Sequence, residues 1–441
     1  MSKKIFRKQI SCTLVVLMFV VYPSAARKQQ VPVELSAGQA VEMAMENNRT
    51  IRSLGHQLKG ADYNVKSAAT NLLPRVALNG SYTRLDMDDE MKILSGGSDN
   101  SYSVGVQIQQ PVFTGFATLN GLRSARVSRA VQESGNETVK QTIRYAVLQI
   151  YWGMVNLQKS QTVATEAIRQ LEELTSNQEA MMEQGMATEH DYLLTKASLE
   201  QARINELGVR KSISSMKRQF AALLGLPVST EIALTDTSAA QPDRAITDVD
   251  SVVQAALQKR PDLKETVSQV RLTELGVKSA QSALYPTLSA GFSYSNTRPD
   301  QLRRDQWGDN WTFSAQLNFT LWDWGNRNFQ IRKAREQQLS MVALLEDKRA
   351  SVEKEVLDAY YDVEQSSKVL QAAELLVEAR EKAYEASNAK HSEGVISTFE
   401  LLEAHNSYVS AKHQALQAAT DLELAVVKLD MGGLGSDSGL E

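Results

Sequence analysis

A mostly helical fold with a small β part, duplicated within one chain, is what the sequence predicts, and three observations predict it. The run from Ala117 to Gln184 carries apolar or small residues on a 3-4 spacing (Val147, Ile150, Met154, Leu157, then Ala164, Ile168, Leu171), with polar slips at Gln161, Thr175 and Gln178. Such a heptad seam marks helices wrapped round each other, and a helix over this run is a rod of roughly 100 Å. No compact globule contains it, so it must pack on partners from this chain or from copies of it. Four short segments alternate apolar and polar residues, the period of strands. Finally, Val65-Lys66-Ser67-Ala68, Leu72, Pro74 and Ser81-Tyr82 recur 212 residues later as Val277-Lys278-Ser279-Ala280, Leu284, Pro286 and Ser293-Tyr294. Past the next loop the offset becomes 209, matching Arg123, Ala125, Arg126, Tyr151, Gly185 and Leu193 to Arg332, Ala334, Arg335, Tyr360, Gly394 and Leu402. Two halves that hold register in this way fold alike.

In chain order, Lys3, Lys4, Arg7 and Lys8 precede an apolar core from Cys12 to Tyr22 and then Ser24-Ala25-Ala26. This is the pattern of a secretory leader, expected over residues 1–26. Its apolar core is too short to span a bilayer as a helix. Cleavage there would take the formal charge from −4 to −8 by removing four basic residues, and would remove Cys12, the single cysteine. A negative chain is a poor partner for nucleic acid, and one without thiols has no disulfide or cysteine metal site.

The first repeat is expected over residues 27–247. It reads as a helix from Ala37 to Leu72 stopped before Pro74, strands 75–85 and 101–112, the long helix 117–184, a return helix 187–224 and an irregular connection 225–247. The second, 248–433, repeats the order: a helix from Asp250 to Leu284, strands 287–297 and 311–321, a long helix 325–393 and a helix 397–430, followed by a flexible tail 434–441. Each rod ends at a glycine, Gly185 or Gly394, suited to a left-handed residue just past a helix end. The return helices carry their own seams. One runs Leu199, Ala202, Val209, Ile213, Met216, Phe220 and Leu223, broken by Glu206, and the other is alanine-rich from Leu401 to Leu429.

Two readings fit the strands. A soluble antiparallel sheet with one wet face alternates in this way, and so do transmembrane strands of about 9–11 residues with one face to lipid and one to a lumen. The polar faces, such as Ser101, Ser103, Gln107 and Gln109, are nearly uncharged, the ends are aromatic, and a leader precedes them. These features favour the membrane, with Val104, Val106, Phe313 and Leu317 facing lipid. Four strands cannot close a barrel, and open edges are not tolerated in lipid, so several chains must pool their strands.

At the junctions Pro111-Val112-Phe113-Thr114-Gly115 and Leu321-Trp322-Asp323-Trp324-Gly325, and at the turns Gly185-Met186-Ala187-Thr188-Glu189-His190-Asp191 and Gly394-Val395-Ile396-Ser397-Thr398-Phe399-Glu400, the chain resembles the TolC family of outer-membrane efflux ducts. The resemblance covers about residues 33 to 433. It implies a homotrimer whose four-stranded sheets close a twelve-stranded transmembrane barrel, set on a long coiled-coil α-helical barrel that crosses the periplasm. It further implies passive export from an inner-membrane pump through a periplasmic adaptor. The turns Gly185, Met186, Thr188 and Gly394, Val395, Ser397 would be the adaptor-docking tip. Glu400 and Glu403 stand where such ducts carry acidic residues at a narrow periplasmic entrance. Glu400 also completes a capping box with Ser397, whereas the repeat mate of Glu403 is Leu194. Ile396 stands where some members carry an arginine of the closing network.

Enzyme chemistry finds no support. His56, His190, His391, His405 and His413 show no metal-ligand spacing, and each reads as a solvated surface histidine. No nucleophile elbow occurs, and no cofactor is expected. The competing non-enzyme reading is a periplasmic coiled-coil scaffold or adhesin-like stalk without a channel.

Overall fold

The computed structural model describes residues 33–84, 86, 88, 99–236, 249–302 and 304–433. The leader (1–26), the tail (434–441) and residues 237–248 of the connection lie outside the described residues.

The chain begins with a short strand β1 (Val33–Leu35) and enters α1 (Ala37–Asn47) through a capping box between Ser36 and Gln39. The single helix expected from Ala37 to Leu72 is two helices, because Asn48 ends α1 in extended conformation and starts α2 (Arg49–Thr70). Its Oδ1 accepts from Thr50 N at 2.8 Å, and its Nδ2 donates to Leu223 O at 2.7 Å. The strands β2 (Arg75–Arg84) and β3 (Asn100–Thr114) follow, then the rod α3 (Ala117–Glu183), the return helix α4 (Glu189–Leu223) and the short strand β4 (Ile232–Leu234).

The second half opens with α5 (Val249–Lys259) and α6 (Pro261–Gln281), again two helices where one was expected. Pro261 at the first helical position has no N–H to continue α5 but suits the start of a new helix. After a 3₁₀ turn come β5 (Thr287–Arg298), β6 (Gly308–Asn318), the second rod α7 (Asn326–Ser392) and α8 (Thr398–Gly433). Both rods have 67 residues, which at 1.5 Å each is roughly 100 Å.

Helices form a row at each level. Near the strands α2 packs on α3, α3 on α6 and α6 on α7; towards the tip the order is α4, α3, α8, α7. α3 lies inside the row and is buried along its length, with Val147, Tyr151, Met154, Ala164 and Leu171 below 9% exposure. α7 lies at one edge and leaves Leu339, Tyr361 and Leu375 exposed. The other edge, α2 and α4, leaves Tyr63, Ile204 and Leu207 exposed.

At mid-height β1 and β4 form a small parallel sheet that the sequence reading missed. It buries Leu35 and Ile232 in a core with Ala40, Val147, Tyr151 and Phe220. Tyr151 Oη lies 2.8 Å from Asp236 Oδ2 and 3.1 Å from Leu35 O, so one phenol ties both strands to the rod. Burial, then the bond to Asp236, pushes this phenol up to about 12.

Candidate functional site: strand face, junction and tip

The larger sheet has the antiparallel order β2-β3-β5-β6, so β2 and β6 are its open edges. Its register decides what each face carries. Leu78 pairs with Val106, Val106 with Tyr294 and Tyr294 with Trp311; Val76, Ile108, Phe292 and Phe313 form the neighbouring row. Residues opposite one another share a face, so all four apolar stripes lie on one side. Their partners Asn79, Ser81, Gln107, Ser293, Ser295, Thr312 and Ser314 lie on the other. Val104, Val106, Phe313 and Leu317 are on the apolar side and are 39–67% exposed. The backbones of β3 and β5 approach closely on the polar side: a Cβ on Gly105 would stand 2.9 Å from Tyr294 O.

Below the sheet each half turns sharply into its rod through two consecutive left-handed residues, Gly115-Phe116 and Trp324-Gly325. The glycine takes the first place in one turn and the second in the other. At Gly115 it is required twice over, since φ is +60° and a Cβ would strike Ser282 O. Aromatics gather here. Phe116 meets Phe113 and Tyr285 edge-on at 5.3 and 5.6 Å, and Trp322 and Trp324 are 73% and 85% exposed.

At the far end the chain turns at Gly185 (φ +74°) and Gly394 (φ +72°). Met186 N and Val395 N each donate back five residues, to Met181 O and Lys390 O, closing the rods with the glycine motif expected there. Met186 and Val395 project at the apex, 63% and 66% exposed. Thr188 caps α4 by accepting from Asp191 N. Its hydroxyl also donates to the Asp191 carboxylate, which holds that group below its usual range. In the other half Ser397 and Glu400 form the reciprocal capping box: Ser397 N donates to Glu400 Oε2 at 2.9 Å and Glu400 N to Ser397 Oγ at 3.3 Å. The Glu400 carboxylate is therefore occupied as a cap.

Glu403 is exposed, three residues along the same helix. It lines a groove of about 520 Å³ with Leu194, Ser198, Leu376, Arg380 and Phe399. Its repeat mate Leu194 borders the same groove and packs on Leu171, Leu199 and Leu402, which is ordinary seam packing. The two hairpins are also joined by polar contacts. Gln178 Nε2 lies 3.3 Å from His391 Nε2 and 3.5 Å from Thr398 Oγ1, and His391 Nε2 lies 3.2 Å from Thr398 Oγ1.

His405 corrects the expectation of solvated histidines. It is 3% exposed, its Nε2 lies 3.0 Å from Gln170 Oε1 on α3, and its ring meets Tyr384 edge-on. Burial pushes its pKa down. Its position on the α8 seam, between Leu401 and Tyr408, was the signal available in the sequence. Among the described residues no His, Cys, Asp or Glu side chains gather in a group that could hold a metal, and no helix is long and apolar enough to cross a membrane.

The model of the family described as outer membrane efflux protein matches residues 40–226 and 252–431. A probable efflux pump outer membrane protein, TtgC of Pseudomonas putida, is 22% identical over 388 residues, covering 86% of this chain and 78% of its own. Outer membrane protein TolC of Escherichia coli is 21% identical over 399 residues, with the same coverage of 86% and 78%. Among solved structures, the CmeC outer membrane channel of Campylobacter jejuni superposes with a TM-score of 0.79 at 14% identity, covering 90% of this chain and 85% of that one. That likeness carries the fold, and the family match, spanning most of both halves, carries the rest. The chain belongs to the outer membrane efflux protein family: it is an exit duct of the outer membrane reaching into the periplasm, a conduit and not an enzyme.

Proposed function

We propose that three copies of this chain close the duct and that it conducts passively what an inner-membrane pump delivers through a periplasmic adaptor. The observation that carries this reading is the coincidence of two sets of open edges. The sheet ends at β2 and β6, and the helix row ends at α2 and α4 on one side and α7 on the other. β2 follows directly from α2, and β6 leads directly into α7. Pairing β6 of one copy with β2 of the next therefore also covers the exposed apolar residues of α7 with those of α2 and α4. Lipid tolerates no unpaired edge, and twelve strands from three chains leave none.

In this assembly Val104, Val106, Phe313 and Leu317 face lipid and the hydroxyl- and amide-rich face lines water. Met186 and Val395, held out by Gly185 and Gly394 and by the caps at Thr188 and Ser397, form the surface that meets the adaptor. Glu403 supplies a ring of carboxylates at the entrance, with Glu400 behind it as a cap. Relatives named as components of efflux pumps support the adaptor and pump. The substrate is set by the pump.

The test is direct, because no cysteine follows residue 26. In intact membranes Gln107→Cys should react with a water-soluble maleimide and Val106→Cys should not; the reverse pattern would invert the register and remove the lumen assignment. Purified in detergent, the particle should have three times the chain's mass by light scattering and should open channels in a planar bilayer. A scaffold or stalk would give no conductance.

A further inference from the structure

We propose that the upper ends of the two rods carry a basic collar that binds the anionic phospholipid headgroups of the leaflet facing the periplasm. The inference rests on the reading that the apolar sheet face meets lipid. It starts from a repeated motif that conduction does not use: Arg123 and Arg126 recur as Arg332 and Arg335. All four are exposed. Three carboxylates near the junction are engaged elsewhere, Asp62 and Glu133 by Arg129 and Asp323 by Arg327, while the exposed Glu274 and Glu336 leave the basic side chains in excess at this level. Arg123 reaches only Asn120, at 3.5 Å, and no ion pair engages Arg126, Arg332 or Arg335 among the described residues.

Three links place Arg123 and Arg126 on the lipid side of the wall, and the repeat carries that placement to Arg332 and Arg335. Phe113 pairs with Leu288 and Leu288 with Leu317, so Phe113 belongs to the apolar face. Phe116 packs edge-on against Phe113. Leu119, Arg123 and Arg126 follow Phe116 at helical spacing, on one face of α3. In α7 the exposed Phe329 sits beneath the Gly325 turn, and Arg332 follows it three residues later.

Depth and direction agree with the proposal. Arg123 and Arg332 start about 10 Å beyond the turn, and Arg126 and Arg335 about 15 Å. Both helices begin at the membrane, and helical side chains lean towards the N-terminus. The long arginine stems therefore reach back towards the bilayer, where the headgroup layer is about 5–7 Å deep on each side. Exposed aromatics immediately above and basic side chains immediately below are the composition of an interfacial anchor. The occupant is a lipid phosphate because the patch is continuous with the apolar belt. A basic residue near an anionic surface favours association by about fivefold.

The experiment uses the whole protein in phosphatidylcholine vesicles containing equal small fractions of brominated phosphatidylglycerol or brominated phosphatidylcholine. In a Trp307→Phe, Trp311→Phe background, quenching of the exposed Trp322 and Trp324 beside the junction reports the lipid at the collar. Phosphatidylglycerol should quench at a several-fold lower fraction than phosphatidylcholine, and high salt should shrink the difference. The combined variant Arg123→Gln, Arg126→Gln, Arg332→Gln, Arg335→Gln should bring the two lipids to parity with phosphatidylcholine quenching unchanged, and the matching lysine variant should retain the preference. Equal quenching with the four arginines in place, or a preference that survives the glutamine variant, overturns the collar while leaving the membrane reading intact. No quenching by either lipid sinks both.

Discussion

Asp262 lies where burial and ionic contact oppose each other. Burial alone would raise its pKa, but bonds from Arg260 at 2.7 Å and Lys348 at 2.7 Å hold it down at about 2. A depressed carboxylate stabilises the fold fully above its ordinary value of 3.8, and that contribution is lost as pH falls through about 2. Asp262→Asn should therefore cost about 1–2 kcal/mol at neutral pH, after allowance for partial exposure. It should also flatten the acid limb of the denaturation midpoint between pH 4 and 2; an unchanged limb would place the acid sensitivity elsewhere. Glu403 and Glu400, proposed at the entrance, separate in a similar way. In single-channel recordings Glu403→Gln should weaken cation preference and block by divalent ions, whereas Glu400→Gln preserves the cap geometry and should leave both near wild type. Unchanged behaviour in both variants would remove the acidic mouth. Residues of this kind were partly legible in sequence. The box between Ser397 and Glu400 is a local signal. The slips at Gln161 and Glu206 read only as flaws in two seams, yet Gln161 Nε2 donates to Glu206 Oε1 at 3.3 Å. Pairing between separate helices has no sequence mark, because it depends on their relative rotation.

Among the elements, the turns make the sharpest contrast. Gly185 and Gly394 are left-handed with nothing near their missing Cβ, whereas a Cβ on Gly115 meets backbone. Gly394→Val should cost about 1–2 kcal/mol of local backbone strain. It should weaken adaptor binding in a pull-down while the trimer persists, and normal export by this variant would unseat the tip assignment. Gly115→Ala should instead reduce the yield of assembled protein in the outer membrane; wild-type yield would mean that the junction tolerates displacement of Ser282. The rods and strands were readable because period and length are large signals. The breaks at Asn48 and Pro261 do not show in the pattern, since apolar spacing continues across both and only a capping asparagine and a helix-starting proline betray them. The three-residue strands β1 and β4 are too short for any period, and their pairing joins Val33 to Ile232 across most of one half.

For the whole molecule, the repeat turns one seam into a template for another. β3 and β5 belong to different halves, and their pairing closes the gap between the halves inside one chain. β6 is the repeat mate of β3, and β2 that of β5. In the observed seam Ile108 pairs with Phe292; their mates are Leu317 and Gly80. Gly80→Cys and Leu317→Cys should therefore form a disulfide between neighbouring copies, giving a ladder that ends at the trimer. Gly80→Cys with Gln316→Cys points to opposite faces and should not cross-link; equal cross-linking of both pairs would mean a slipped register. Compositional evidence alone could not supply this pairing, because edge strands show their partner only when a second copy is present.

That internal seam also bears on the ancestry of the ring. If the join within a chain and the join between chains follow one plan, the assembled duct has an approximate sixfold axis. A single half-length gene, with one strand pair and one rod, could have built the same closed wall from six identical pieces. Fusion then freed alternate pieces to diverge. Leu194 could remain a packing residue while its counterpart Glu403 became a charge, something a ring of six equal parts can never do.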